Sequence, residues 1–222
     1  DIMPQINNSF QIGQTFFKKY NLILGYDNAD RYLAEIPFTD AETGITYLTT
    51  GNLNYFKSYN ATIVAPVEIA SFWQANNNLV LSQQDYNLEI GGEKIENNNF
   101  FYMAQSNHQV NLPGDIQLEM NASLRGPTAY GVYNIDSQWW VDAGLKKSFM
   151  DDKLNVSLRA TDIFKTMDMG IIAQYNGNTF NLDQYFWNQA VSLNLRYNFS
   201  KGAKAERKTK ANKLEELDRA GN

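Results

Sequence analysis

From Val191 to Phe199 apolar and polar residues alternate without a break. Val191, Leu193, Leu195, Tyr197 and Phe199 share one parity; Ser192, Asn194, Arg196 and Asn198 share the other. A strand has period two, so this segment carries one apolar and one polar face. Trp187 has the apolar parity, twelve residues before Phe199. Aromatics at both ends of an aliphatic stripe are what a lipid-facing strand needs where it crosses two membrane interfaces. The pattern predicts part of a transmembrane antiparallel β-barrel, all-β in class.

Three further segments repeat the pattern. Leu154, Val156, Leu158 and Ala160 alternate with Asn155, Ser157, Arg159 and Thr161. Ile116, Leu118, Met120, Ala122 and Leu124 alternate with Asp115, Gln117, Glu119, Asn121 and Ser123. Trp139, Val141, Ala143, Leu145 and Phe149 alternate with Trp140, Asp142, Gly144, Lys146 and Ser148. Lys147 interrupts that last stripe near a turn, where its long stem can carry the ammonium to the headgroups. Ten strand steps from Trp139 to Phe149, tilted about 40°, rise roughly 25 Å, the height of a barrel's apolar band.

Nine candidate strands follow from alternation and turn signals. They lie near 5–16, 20–30, 47–65, 69–86, 98–112, 115–127, 137–149, 153–165 and 185–199. Short connections are expected at Phe17-Lys18-Lys19-Tyr20, Ala65-Pro66-Val67-Glu68, Leu112-Pro113-Gly114-Asp115 and Met150-Asp151-Asp152-Lys153. Long ones are expected near 31–46, 87–97, 128–136 and 166–184, rich in Asn, Asp, Gly and Tyr. Outer-membrane barrels have this asymmetry of short periplasmic turns and long outer loops. The expected organisation is barrel over 1–199 and a polar periplasmic tail over 200–222. A soluble β-sandwich also alternates, but its strands average five or six residues, against about 11 to 18 here.

Composition narrows the reading. No run of 18 apolar residues exists, so no helix is expected to span a membrane. Barrel strands need no such run. Cysteine is absent, which excludes disulfides and thiolate metal sites. The net charge of −5 is uneven: seven basic and four acidic residues follow from Lys201, leaving −8 on the remainder. Basic residues interleaved with Glu and Asp in a short tail read as a solvated segment, so no nucleic-acid partner is expected.

Candidate chemistry is sparse. His108 is the lone histidine, so a His-based metal cluster cannot form from this chain alone. Ser106 and His108, two apart, share a strand face. That resembles the strand-borne Ser/His pair of barrel phospholipases in reversed order, with no carboxylate placed to orient it. The expectation is therefore no enzyme, no cofactor and no metal. Asp27, Asp30, Asp40 and Glu42 are loosely spaced and lack the EF-hand order. Tyr130, Tyr133, Tyr175 and Tyr185 fall in or near the expected outer loops and are ligand-contact candidates, since aromatics give large stacking area. Trp139, Phe149 and Trp187 are expected in the interfacial girdle. Asp142, Arg159, Glu119 and Arg196 are expected inside the barrel, pairing with one another or with a plug.

The second half resembles a known pattern. It runs from Gly114-Asp115-Ile116-Gln117-Leu118-Glu119-Met120 to Trp139 through Gly144-Leu145-Lys146-Lys147-Ser148-Phe149. It continues with Asp152-Lys153-Leu154-Asn155-Val156-Ser157-Leu158-Arg159-Ala160-Thr161-Asp162-Ile163-Phe164 and closes with Leu193 to Phe199 before a Lys/Arg-rich tail. This is similar to the C-terminal barrel region of TonB-dependent-receptor-like outer-membrane proteins of the Bacteroidota type. The resemblance covers most of 20–205 and is specific at 139–164. It implies a 22-strand barrel in the outer membrane, with these nine strands as roughly the fourteenth to the last. It also implies an N-terminal plug and a segment engaging the TonB complex. Neither is recognisable in the chain, so a fragment of such a receptor is expected, serving energised ligand uptake. The alternative is a non-transporting barrel that anchors or scaffolds a membrane complex. Implied partners are outer-membrane lipid, a surface lipoprotein or other complex partner, and the barrel assembly machinery. The last would read Leu193, Leu195, Tyr197 and Phe199 by edge pairing and pocket filling.

Overall fold

The computed structural model describes residues 2–40, 42–90, 93–175, 178–185 and 188–199, with the side chains at 37–39, 46, 90, 93, 174, 175, 178 and 185 outside that description. Fifteen strands are present among them. In chain order they are β1 (Ile6–Phe16), β2 (Tyr20–Asp30), β3 (Leu33–Thr39), β4 (Thr46–Asn52) and β5 (Tyr55–Ala70). Next come β6 (Trp73–Ile90), β7 (Glu93–Leu112), β8 (Ile116–Arg125), β9 (Thr128–Tyr130) and β10 (Tyr133–Ile135). The last are β11 (Gln138–Phe149), β12 (Leu154–Thr161), β13 (Asp168–Tyr175), β14 (Asn178–Tyr185) and β15 (Ala190–Tyr197).

Nine of them form one antiparallel meander, ordered β1-β2-β5-β6-β7-β8-β11-β12-β15. The register aligns the apolar stripes across strands. Leu124 faces Trp139, Leu118 faces Leu145, Leu145 faces Leu158, and Leu158 faces Leu193. Leu193 and Leu195 stay 63% and 64% exposed, so the stripe is the outside of one curved layer and not the inside of a sandwich. Lys147 sits between Ile116 and Val156 with its ammonium over the Phe149 ring, 5.2 Å from the centroid. On the opposite face Asp142 pairs with Asn121, and Arg159 reaches the Asp142 carboxylate at 3.3 Å.

Short turns at 17–19, 113–115 and 150–153 stand where expected. The turn expected at Ala65-Pro66-Val67-Glu68 does not form. β5 runs through it, with Pro66 opposite Asn76, and the chain reverses at Ser71-Phe72. A proline inside a sheet costs a ladder bond unless its nitrogen faces no partner. Pairing of β5 with β2 ends at Val64, so Pro66 lies beyond that neighbour and loses nothing.

The long outer connections carry strands of their own. β3 and β4 form a hairpin, and β14-β13-β10-β9 form a separate four-stranded sheet. The connection expected over 87–97 is a continuation of β6 and β7, paired as far as Ile90 and Glu93. At 20 residues β7 rises roughly 50 Å, about twice the apolar band, so this hairpin projects well past the membrane. Strand β12 stops earlier than expected. Asp162 takes a φ of 45° and turns the chain, so Asp162-Ile163-Phe164 is a corner.

The core lies at the outer end, on the polar-parity face. Phe56, Tyr86, Leu88 and Ile95 belong to that face by register, and the outer elements fold down on them. Tyr32 packs on Phe56 and Tyr86 at 5.2 and 5.8 Å between centroids. Leu53 and Leu88 are wholly buried, each contributing about 1.5–3 kcal/mol. Gly126 allows the chain to leave β8 for this layer: a Cβ there would meet the Tyr102 ring at 2.5 Å.

Candidate functional site

Side chains of the inner face hold the outer sheet in place. Asn97 Nδ2 donates to the Gly131 carbonyl at 2.9 Å, and Asn99 Nδ2 donates to the Pro127 carbonyl at 2.9 Å. Gln84 Oε1 accepts from Thr128 Oγ1 at 3.0 Å. Gln84, Asn97 and Asn99 sit on the same face as Tyr86. The segment 127–135 is therefore tied inward, across the mouth of the polar side.

One face of the four-stranded sheet is apolar over two rungs. The first rung aligns Tyr130, Tyr133, Ala173 and Phe180; the second aligns Ile135, Ile171 and Leu182. The β3–β4 hairpin brings Glu35 and Leu48 against this face, and the space between is a cavity of 330 Å³. That places Tyr130 and Tyr133 beside the same cavity. Tyr175 is also on β13 and Tyr185 ends β14, but their side chains lie outside the described residues.

Two polar groups of this site lack a partner of their own among the described residues: Tyr133 a hydrogen bond and Glu35 an ion pair. The Tyr133 hydroxyl is buried with no hydrogen bond. Burial raises its pKa above the ordinary tyrosine value, and the nearby Glu35 carboxylate and Tyr130 add to that. Glu35 is exposed and has no ion pair among the described residues. Tyr32, beside Tyr130 at 6.3 Å, is likewise raised, chiefly by burial. Glu35 has no local sequence signal: it stands on an alternating segment far from its partners in the chain.

The Ser106/His108 pair lies on the apolar face, opposite Asn77 and Ala75 of β6 and Ala122 and Met120 of β8. Ser106 Oγ stands 2.9 Å from His108 Nε2 and 2.6 Å from Asn77 Oδ1. Trp73 Nε1 donates to His108 Nδ1 at 3.0 Å. Asn77 Nδ2 closes the chain on the Ala65 carbonyl at 3.2 Å. A polar group facing hydrocarbon is costly unless bonded, and here each bonds to the next.

The girdle positions divide. Trp139 packs on Phe164 at 5.6 Å near the outer end, and Phe149 stands at the opposite end of the same strand. Trp187 lies outside the described residues. Leu193, Leu195 and Tyr197 of β15 and Phe199 just beyond it are all exposed, and among the described residues β15 pairs with β12. Asp27, Asp30, Asp40 and Glu42 do not converge. Asp27 bonds Ser9 and Asn60, while Asp40 accepts from the Glu42 and Thr43 amides in the hairpin turn. Among the described residues no group of three or more potential metal ligands is found.

The Asp162 carboxylate has a structural role. Asp162 is 1% exposed, and its Oδ1 accepts the Thr166 amide at 2.9 Å. Its own amide donates to Asp142 Oδ1 at 2.9 Å. The Asp142–Arg159 pair and the corner after β12 are thus one network.

Comparison with known proteins agrees with this architecture. No curated protein and no solved structure matched the chain. The sequence profile of the outer membrane protein beta-barrel family matches residues 1–197. The paired lipid-facing stripes, the polar inner face and that match together establish that the chain belongs to the outer membrane protein beta-barrel family and resides in the outer membrane.

Proposed function

We propose that this chain is barrel wall and outer-loop apparatus of a TonB-dependent-receptor-like protein of the Bacteroidota type, serving energised uptake of a ligand. The observation that carries the proposal is the inward packing of the outer elements. The 127–135 segment and the β3–β4 hairpin cover the inner face at its outer end, and a cavity lies between that hairpin and the four-stranded sheet. An open pore has no use for such a cover, whereas a receptor that captures a ligand before admitting it does. No residue is assigned a catalytic role in this reading.

Strand parity supports a larger wall. In a nine-strand meander the first and last strands run the same way, so direct closure of β1 on β15 would be a parallel seam. An all-antiparallel barrel needs an odd number of additional strands, and thirteen would complete the 22 that the family resemblance implies. The exposed alternation of Leu193, Leu195, Tyr197 and Phe199 suits recognition by the assembly machinery.

The test is uptake by cells carrying and lacking the gene, with labelled glycans, peptides and metal chelates, with and without a protonophore. The expected result is loss of accumulation of one ligand class in the deletion strain, and the same loss in the parent under protonophore. Unchanged uptake of every class in the deletion strain overturns the proposal in favour of a scaffold.

A further inference from the structure

We infer that the outer-loop cavity binds an apolar group carried next to a primary ammonium, the chemistry of a hydrophobic amine or the amino-terminal residue of a short hydrophobic peptide. The inference deepens the uptake reading and rests on it for the ligand's fate, but binding itself does not require transport.

The cavity's chemistry selects the class. Its volume of 330 Å³ is at the small end for ligand sites, so it takes one group of a ligand and not a whole chelate or oligosaccharide. Leu48, Ile135, Ile171, Phe180 and Leu182 supply most of its wall. A sugar placed there would exchange hydrogen bonds to water for contacts with hydrocarbon, which is unfavourable. An aromatic or branched aliphatic group gains by the same exchange.

The polar groups set the orientation. Glu35 lines the cavity and has no cationic partner among the described residues. Tyr130, on the same rim, offers a half-exposed ring and hydroxyl. A carboxylate beside aromatic rings favours a cation by charge and by the ring quadrupole together. An anionic ligand would be repelled by Glu35, and by the chain's overall charge of −5. The walls are held by the four-stranded sheet and the β3–β4 hairpin, so the site is formed before a ligand arrives.

The experiment uses the full-length gene product purified in detergent, with three probes followed by calorimetry and saturation-transfer NMR. The probes are phenethylammonium, phenylalanyl-leucine amide and N-acetyl-phenylalanyl-leucine amide. The first two are expected to bind, the tighter of them identifying the source, and acetylation is expected to weaken the dipeptide about fivefold, the upper range for an exposed ion pair. Glu35→Gln is a surface change that leaves the fold intact, and it is expected to abolish the difference between free and acetylated dipeptide. Leu182→Trp, at an exposed position of the lining, fills the cavity and is expected to remove binding of both, with the heat-dependent gel shift of the barrel as the folding control. No binding by the unaltered protein, or binding unchanged in both variants, overturns the inference. Binding without uptake would sink the transport reading alone, and uptake of another ligand with no amine or peptide binding would sink this inference alone.

Discussion

The indole N–H of Trp73 donates to Nδ1 of His108 across the β6–β7 ladder at 3.0 Å. Indole nitrogen is a donor only, so Nδ1 must be the acceptor and the imidazole proton sits on Nε2. Nε2–H then points at Ser106 Oγ, and the Ser106 hydroxyl proton passes to Asn77 Oδ1. A general base needs a free lone pair where the nucleophile's proton is. This chain runs the opposite way, so the pair is arranged as a hydrogen-bond relay and not as nucleophile and base.

Two measurements check that relay. Nitrogen-15 NMR of the labelled full-length protein in micelles should show His108 as the Nε2–H tautomer, with Trp73→Phe giving a mixture. A fluorogenic acyl ester should be hydrolysed no faster by the protein than by its Ser106→Ala variant. A rate that falls with Ser106→Ala would reinstate hydrolase chemistry.

Asp162 holds the corner after β12 by accepting the Thr166 amide and by placing its own amide on Asp142. Asp162→Ala leaves the part-buried Thr166 and Met167 amides without their acceptor and is expected to cost about 1–2 kcal/mol. Asp162→Asn keeps an acceptor and should cost less. Limited proteolysis within 162–168 reports the opening, and equal cleavage of all three proteins would show that the carboxylate has no such part.

The two-residue period made the wall legible, because lipid on one side and water on the other impose it on every strand. Leu154, Val156, Leu158, Leu193 and Leu195 fell on the outer face for that reason. The outer sheet was not legible in the same way. Its strands are three to eight residues long, and Tyr133 pairs with Ala173, 40 positions away, so no local turn announces the pairing. The shared parity of Ile171 with Ala173 and of Phe180 with Leu182 was the available signal, blurred by the apolar Ile172 on the other face and by Asn and Gly nearby. Pro66 misled because a proline is a turn residue except where the neighbouring strand has already ended. Tyr130 and Tyr133 stood out as loop aromatics, whereas Glu35 joins them only through the fold.

Lipid facing can be tested on two adjacent residues at one depth. Leu193→Arg puts a charge against hydrocarbon near mid-membrane and should cost about 2–4 kcal/mol, while Asn194→Arg on the polar face should cost under about 1 kcal/mol. Folding of the full-length protein into vesicles across a urea series reads both. Equal costs would mean that the two faces share one environment.

Tyr133 supplies a test by pH. Its hydroxyl is buried without a partner among the described residues, and its folded pKa is raised, first by burial and then by Glu35 and Tyr130. A raised folded pKa means that the neutral phenol is favoured in the folded state. Its stability contribution is complete below the unfolded value near 10 and is lost as pH climbs through the folded value. Phenolate absorbance at 295 nm should therefore show a late-titrating component among the 13 tyrosines, smaller in Tyr133→Phe. Removing an unpaired hydroxyl also leaves no polar atom to desolvate, so Tyr133→Phe should be neutral or stabilising by up to about 1 kcal/mol at neutral pH. Marked destabilisation by Tyr133→Phe would show that the hydroxyl has a partner in the folded protein.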